Sequence, residues 1–305
     1  MPDPSRPHLP EPDPASPRLE PYSPLAYSPL GYTDLYGRTP PTHRGTFAIV
    51  GAGSAGYNLG YGLLARGYKL LHIVSRTAEE AQELGRKLNQ PYVPYGDQLH
   101  ALPPADWVLL TVPDDAIAAV AAELATAQQS ASTYLHAAGS QPLELLKPLG
   151  ANVGVLWPIQ TLSRARAVEL RQVPLFVEGT GHSQARLERL ARELSDKVFV
   201  TDYPARLRLH IGAVFAANFV NHLVQIAGDL ALAVHGADYH LFLPLLKEVV
   251  AKLDQLTPQQ AQTGPAIRGD VKTIERHLDA LRATDPTLAE LYRLLTERIQ
   301  GLHRG

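Results

Sequence analysis

The sequence predicts an α/β fold, a doubly wound and mostly parallel sheet, followed by an all-α C-terminal domain. Two observations carry this expectation. Short apolar runs alternate with segments of helical periodicity from Thr46 to Tyr203. Beyond Tyr203 the strand-like runs stop and helical patterns alone remain. Residues 1–44 stand apart, holding 12 of the 26 prolines and a near-repeat, Tyr22-Ser-Pro-Leu25 and Tyr27-Ser-Pro-Leu30. Proline this dense removes backbone donors and blocks helix, so a disordered or polyproline-like arm is expected. The YSPL copies read as tail, as a docking motif, or as rings tucked against the folded body. The expected division is arm 1–44, sheet domain 45–202 and helical domain 203–305.

The elements follow in order. Phe47–Val50 is an apolar run ending in Gly51, a buried strand. Ala55, Leu59 and Leu63 recur at helical spacing until Gly67, a plausible C-cap. Lys69–Val74 is the second strand, and Thr77 opens the next helix. Trp107–Val112 is a third clear strand, with a helix through Ala116, Val120 and Leu124 behind it. Tyr134–His136, Val153–Leu156, Val173–Val177 and Lys197–Val200 are further strands, and a helix over Ser183–Leu194 separates the last two. The tail reads as helices over 205–235, 239–256, 271–283 and 287–301.

Composition narrows the function classes. A formal charge of -2 leaves no electrostatic footprint for nucleic acid or an anionic membrane, so neither is an expected partner. The chain has no cysteine, which excludes disulfides, thiolate metal sites and cysteine nucleophiles. No uninterrupted apolar run reaches the roughly 18–20 residues of a membrane span, and the N-terminus lacks a signal-peptide core. A cytoplasmic location is the resulting expectation.

Gly51-Ala-Gly53-Ser-Ala-Gly56 lies between the first strand and its helix, the context in which this pattern has mechanical meaning. Gly51 permits the tight turn, Gly53 lets a pyrophosphate approach the backbone, and Gly56 lets helix and strand pack closely. Phosphates would rest on the helix N-terminus, against Gly51, Gly53, Ser54, Ala55 and Gly56. This is a Rossmann-type dinucleotide signature. The second strand ends in Ser75-Arg76-Thr77, where NAD enzymes usually carry an acid for the ribose hydroxyls. Arg76 can instead pair with a 2'-phosphate, which favours NADP(H) over NAD, with FAD less favoured. Thr77 with Glu80 also reads as a capping box, and Arg76 could simply be solvated. Val112 and Pro113, beyond the third strand, complete the expected cofactor contacts.

Rival signatures are missing. None of the 13 tyrosines has a lysine four positions on, and there is no P-loop, zinc-binding His-Glu-x-x-His or Gly-x-Ser-x-Gly elbow. No metal is expected.

Three loops follow strand ends, where ligands of open α/β sheets bind: Thr111–Asp115, His136–Ser140 and Trp157–Thr161. The helix over 205–235 is mostly apolar but interrupted by His210, Asn218, Asn221, His222 and Gln225, an arc of roughly 120° on one face. That stripe stays uncharged until Asp229, which reads as a cleft or subunit contact rather than a water-facing stripe. Asp270 reads as an N-cap, and Arg268 just before it could hold an anion.

Together HAAGS at 136–140, WPIQTL at 157–162, LHIGAVFAANFVNHL at 209–223 and TGPAIRGD at 263–270 resemble the Rossmann-like proteins ending in domain of unknown function 2520. That group is similar to a superfamily containing pyrroline-5-carboxylate reductase, ketopantoate reductase, 6-phosphogluconate dehydrogenase and deazaflavin-dependent NADP oxidoreductase. The resemblance implies a helical domain that forms a homodimer beside the nicotinamide site. Two departures stand out. Trp157 occupies a position where the family often has His. Val214 stands where the superfamily's β-hydroxyacid dehydrogenases keep a catalytic Lys, so their proton-transfer mechanism does not carry over.

The resulting expectation is an NADP(H)-dependent oxidoreductase acting on a small C=O or C=N substrate. Asn218 is the expected orienting residue and His210 or His136 the acid/base, with Ser140, Gln160, His222 and Arg268 as substrate contacts. The alternative is an NADP(H)-binding sensor or scaffold without turnover.

Overall fold

The computed structural model describes residues 44–302, apart from 92, 127–131, 233, 235 and 236. The proline-rich arm, with both YSPL segments, lies outside the described residues. The chain divides into two compact units, one up to Ala213 and one from Val214 onward. This division falls later than the expected 202/203 boundary. The reason is local: the helix starting at Tyr203 sends Arg206, fully buried, to Glu178 and to the Gln141 carbonyl of the sheet unit.

The first unit contains β1 (Thr46–Val50), α1 (Ser54–Ala65), β2 (Lys69–Val74), α2 (Ala78–Lys87), β3 (Tyr95–Gly96) and β4 (Trp107–Leu110). It continues through α3 (Ile117–Thr126), β5 (Thr133–His136), β6 (Val153–Pro158), β7 (Leu175–Gly179), α4 (Gly181–Leu194), β8 (Val198–Val200) and α5 (Tyr203–Ala213). The strands form one eight-stranded sheet in the order β3-β2-β1-β4-β5-β6-β7-β8. All neighbours are parallel except β6 and β7. The expected mostly parallel, doubly wound sheet is therefore present. β3, only two residues long, went unread in the sequence.

Alternation along the strands divides the core between the two faces of the sheet. Phe47, Ile49, Trp107, Leu109, Leu135 and Leu156 join one buried cluster. Ala48, Val50, Val108, Leu110, Tyr134 and Val155 join the other. A sheet buried on both faces explains why its strands read as continuous apolar runs. Strand order reverses direction at β1, so the crevice between the carboxyl ends of β1 and β4 is the topological switch point.

The second unit opens with a π-helical turn, Val214–Phe219, followed by α6 (Val220–Leu232), α7 (Leu243–Lys252), two four-residue helices α8 (Pro258–Ala261) and α9 (Pro265–Arg268), α10 (Val271–Arg282) and α11 (Pro286–Leu302). Ile274, Leu278 and Ala289 form its small buried cluster, with Leu281 and Tyr292 packed against it. The Asp270 side chain caps α10 by accepting from Thr273 N–H at 3.1 Å. Phe215, Phe219, Leu223, Leu245, Val249 and Val250 are exposed within the chain.

Membrane-scale apolar length needs a correction. The helical run Tyr203–Leu232 is long and apolar enough to cross a membrane by length and composition, with a mean hydropathy of 1.3 over its best window. No strict apolar run marks it because Asn, His and Gln interrupt the sequence without adding charge.

Gly56 packs against backbone: a Cβ there would lie 2.6 Å from the Gly51 carbonyl oxygen and 2.7 Å from Thr111 Oγ1. The carbonyl belongs to the backbone and cannot swing aside, and moving the hydroxyl would break its 2.7 Å bond to Gly51 O. Gly56→Ala should therefore cost about 1–3 kcal/mol by overpacking, measured by urea denaturation, despite the better helix propensity of Ala; an unchanged midpoint would contradict this packing.

Candidate cofactor cleft

The cleft begins with a turn that only glycine fits. Gly51 has φ +102°, and a Cβ on it would lie 2.6 Å from the Thr111 carbonyl carbon. Its N–H donates to Val74 O at 2.7 Å, and Thr111 Oγ1 donates to Gly51 O at 2.7 Å. Gly53 differs. Its φ of -79° suits any residue, and a Cβ would meet only the Thr111 oxygen, at 3.5 Å. Neither folding nor packing demands glycine here, so the space left above it is room for a ligand. Gly53 is also the N-cap of α1, whose first turn has no side-chain cap and no acidic residue. Unpaired N–H groups and the helix dipole thus face the cleft without a competing carboxylate.

The cleft has a volume of about 490 Å³. Of the expected cofactor residues, Gly51, Gly53, Ser75, Arg76, Val112 and Pro113 line it. Ser54, Ala55 and Gly56 form the first turn of α1 beside it, and Thr77 is the N-cap of α2. Thr111, from the strand-end loop expected to meet a ligand, lines it as well, and sequence reading missed Glu80, Asp97, Glu123 and Arg164, which also do.

Glu80 is the informative omission. Thr77 Oγ1 accepts from Glu80 N–H at 3.2 Å, half of the expected capping box. The Glu80 carboxylate does not return to the cap. It accepts from Ser75 Oγ at 2.8 Å and pairs with Arg76 at 3.2 Å. The Ser75 hydroxyl first, then Arg76 and Arg164, hold its carboxyl below the usual range. An acid absent from the end of β2 is thus supplied from one turn into α2.

A second polar group gathers at the carboxyl ends of β5 and β6. His136 is buried, its Nδ1 accepting from Ala138 N–H at 3.2 Å. The ring proton is therefore assigned to Nε2, which is buried, has no partner of full hydrogen-bond geometry among the described residues and feels the Pro142 carbonyl. Burial, then the Arg206 charge, lowers its pKa to about 4 against the pull of the Pro142 carbonyl and Asp114. Ser140 Oγ donates to Asp114. Between them Gly139 is pinned: a Cβ would lie 2.5 Å from Trp157 and 2.7 Å from His210. The His210 ring stands 5.8 Å from Trp157 and is partly exposed. His136, Ser140 and His210 thus lie around one short loop, whereas Gln160 is exposed and bonds to its neighbour Thr161. In the second unit Asn218 lies in the π-helical turn, and Asn218, His222 and Arg268 are exposed. Gln225 bonds to Asp229 at 2.7 Å.

A switch-point cleft lined by glycines at a helix N-terminus defines a Rossmann dinucleotide-binding protein. The chain belongs to the oxidoreductase family that joins such a domain to domain of unknown function 2520. Residues 46–135 match the family described as NADP oxidoreductase, coenzyme F420-dependent, and residues 173–299 match domain of unknown function 2520. The "putative NADP oxidoreductase" of Bacteroides fragilis is 33% identical, with TM-score 0.76, covering 84% of this chain and 98% of that one. A Thermotoga maritima protein shares the fold at 21% identity and TM-score 0.64, covering 85% and 100%. An imine reductase of Streptomyces aurantiacus shares it at 17% identity and TM-score 0.58, covering 84% and 95%. No curated relative matches. The cofactor class is a nicotinamide dinucleotide.

Because the native His136 pKa lies below its ordinary value of 6.5, the unfolded state binds more protons between about pH 6.5 and 4. Stability is full above that window and falls as pH drops through it. Between pH 7 and 5 this group should remove about 2 kcal/mol, read by urea denaturation at both pH values. His136→Asn should flatten that difference; an equal drop in the variant would refute the assignment.

Proposed function

We propose that the protein is an NADP(H)-dependent oxidoreductase that transfers hydride to or from a small C=O or C=N substrate. The observation that carries this reading is Gly53, a glycine that neither φ nor packing requires, at the open start of α1. When bound, the nicotinamide ring would supply or accept the hydride. The protein residues bind, orient and manage the proton.

The turn and the first amides of α1 hold the pyrophosphate, while Ser75 and Arg76 hold the 2'-phosphate. Glu80 gives NAD a specific foothold, since its carboxylate already accepts from Ser75 and could accept from ribose hydroxyls instead. The preference for NADP rests on Arg76 and on the low strength of its exposed pair with Glu80, which a phosphate can displace. His210 is the better proton donor or acceptor of the two histidines, because it is partly exposed beside Gly139 and Trp157. His136 is buried and uncharged at neutral pH, so it suits holding the 137–140 loop. Ser140 and Asp114 form a donor–acceptor pair for a polar substrate, and Asn218, Gln160, His222 and Arg268 remain candidate orienting or contact residues.

Val214 favours the second reading, a nucleotide-binding sensor or scaffold without turnover, because no lysine stands at that helical position. The functional form proposed is a homodimer. A second copy is the occupant suited to Phe215, Phe219, Leu223, Leu245 and Val249, which recur over consecutive helices with no lysine or arginine from 214 to 232.

Calorimetry should give tighter binding of NADPH than NADH, and Arg76→Glu should weaken NADPH by about tenfold or more; no heat with either nucleotide would end the reading. Given an identified carbonyl or imine substrate, Asn218→Ala should abolish turnover at unchanged NADPH affinity. Full turnover would remove Asn218 from the site, and a protein inert towards every substrate favours the sensor. Light scattering should report a dimer, and Phe219→Asp a monomer. A monomeric wild type, or one that partitions into vesicles, would defeat the dimer.

A further inference from the structure

The adenosine end of the cleft contains a second arginine that does not come from the β2–α2 region. We propose that Arg164 is a specificity-determining residue that grips the 2'-phosphate of the cofactor opposite Arg76, an inference that rests on the dinucleotide reading above.

Arg164 lies in the segment 159–174 between β6 and β7. These two strands are antiparallel, with Pro158 paired to Leu175, so their connection turns back at the carboxyl ends of the parallel strands. That edge carries the cleft. Asn58 of α1, fully buried, helps to fix the segment there. Its Nδ2 donates to Ser163 O at 3.0 Å, and its Oδ1 accepts from Val168 N–H at 2.8 Å. The two bonds bracket Arg164 and tie its backbone to the helix whose N-terminus opens the site. Such buried amide anchors define position closely, since misplacing them leaves polar groups unsatisfied.

Arg164 lines the same cleft as Ser75, Arg76 and Glu80, and its charge acts on the Glu80 carboxylate. Its Nη2 is 3.2 Å from Glu83 Oε1. Yet neither Nη2 nor Nε, both buried, has an acceptor in hydrogen-bond geometry. Buried donors of a charged group are costly to leave unmet, and a guanidinium fork matches phosphate oxygens. These donors suit an oxyanion. Position tells which one. Arg164 pairs with Glu83 of α2 and acts on the charge of Glu80, so it faces the ribose side where β2 ends. With Arg76 exposed on one side and Arg164 braced on the other, a 2'-phosphate would replace carboxylates as the partner of both.

Calorimetry on the full chain tests this, using NADPH, NADH and the fragments adenosine 2',5'-bisphosphate and adenosine 5'-monophosphate. Arg164→Gln should weaken NADPH and the bisphosphate by about tenfold or more, and NADH and the monophosphate by less than about threefold. Equal weakening of all four ligands would mean that Arg164 stacks on adenine, and unchanged affinities that it stays with Glu83; either result overturns the proposal. Wild-type protein that binds no dinucleotide would instead defeat the underlying reading, and with it this one. If circular dichroism shows Arg164→Gln unfolded, Glu83→Gln decides. Freeing Arg164 from its carboxylate should tighten NADPH relative to NADH by about twofold or more, whereas an unchanged ratio overturns the proposal.

Discussion

The whole binding edge depends on how one turn is tied down. Gly51 donates to β2 through Val74 O and accepts from Thr111, the residue that follows β4. Thr111 N–H also donates to Val50 O at 2.7 Å. The turn is therefore bonded to both neighbours of β1, at the point where strand order reverses. Those bonds fix where α1 begins and which way its first amides face. The left-handed Gly51 and the Cβ-free Gly56 are consequences of this crossing, because backbone and Thr111 occupy every alternative. Gly53, which the crossing does not explain, is what separates a tight turn from a binding turn.

Charge is arranged differently at the two ends of the cleft. The start of α1 has no carboxylate, so its dipole meets a ligand without competition. The end beside β2 and α2 has Arg76 and Arg164 balanced by Glu80 and Glu83. Partly exposed pairs of this kind contribute about 0–1 kcal/mol each. They hold rotamers in place and are weaker than the charge-assisted bonds that a phosphate, as proposed above, would make. Arg206 makes the contrast. It is wholly buried against Glu178 and Gln141 O, and breaking such a pair costs about 3–5 kcal/mol. Its charge is structural, and it also lowers the pKa of His136.

The sheet was legible because burial on both faces turned its strands into apolar runs, and the glycine spacing sat directly behind the first of them. The remaining site residues depend on returns of the chain that spacing does not reveal. Glu80 reads as half of a capping box, since only the structure turns its carboxylate to Ser75. No motif marks Arg164, since its place follows from the antiparallel β6–β7 pairing and from the Asn58 anchor. His136 reads as an available imidazole, and burial makes it a neutral one. β3 has two residues, too few for any period.

The helical run beyond Tyr203 shows why composition alone misleads. From Val214 to Leu232 its only charged residue is Asp229, and its length and hydropathy pass for a membrane span. Lipid would leave Asn218, Asn221 and His222 without partners, at a cost of several kcal/mol for each unmet polar group by the order-of-magnitude rule for apolar surroundings. Water would leave Phe215, Phe219 and Leu223 uncovered, a loss of about 25 cal/mol for each Å² of apolar surface. Within the chain both sets are exposed. Only a protein surface offers apolar cover and hydrogen-bond partners together, and the π-helical turn around Asn218 adds a backbone irregularity of the kind found where side chains are re-aimed for function. The homodimer proposed above is the arrangement that would supply such a surface to this helix.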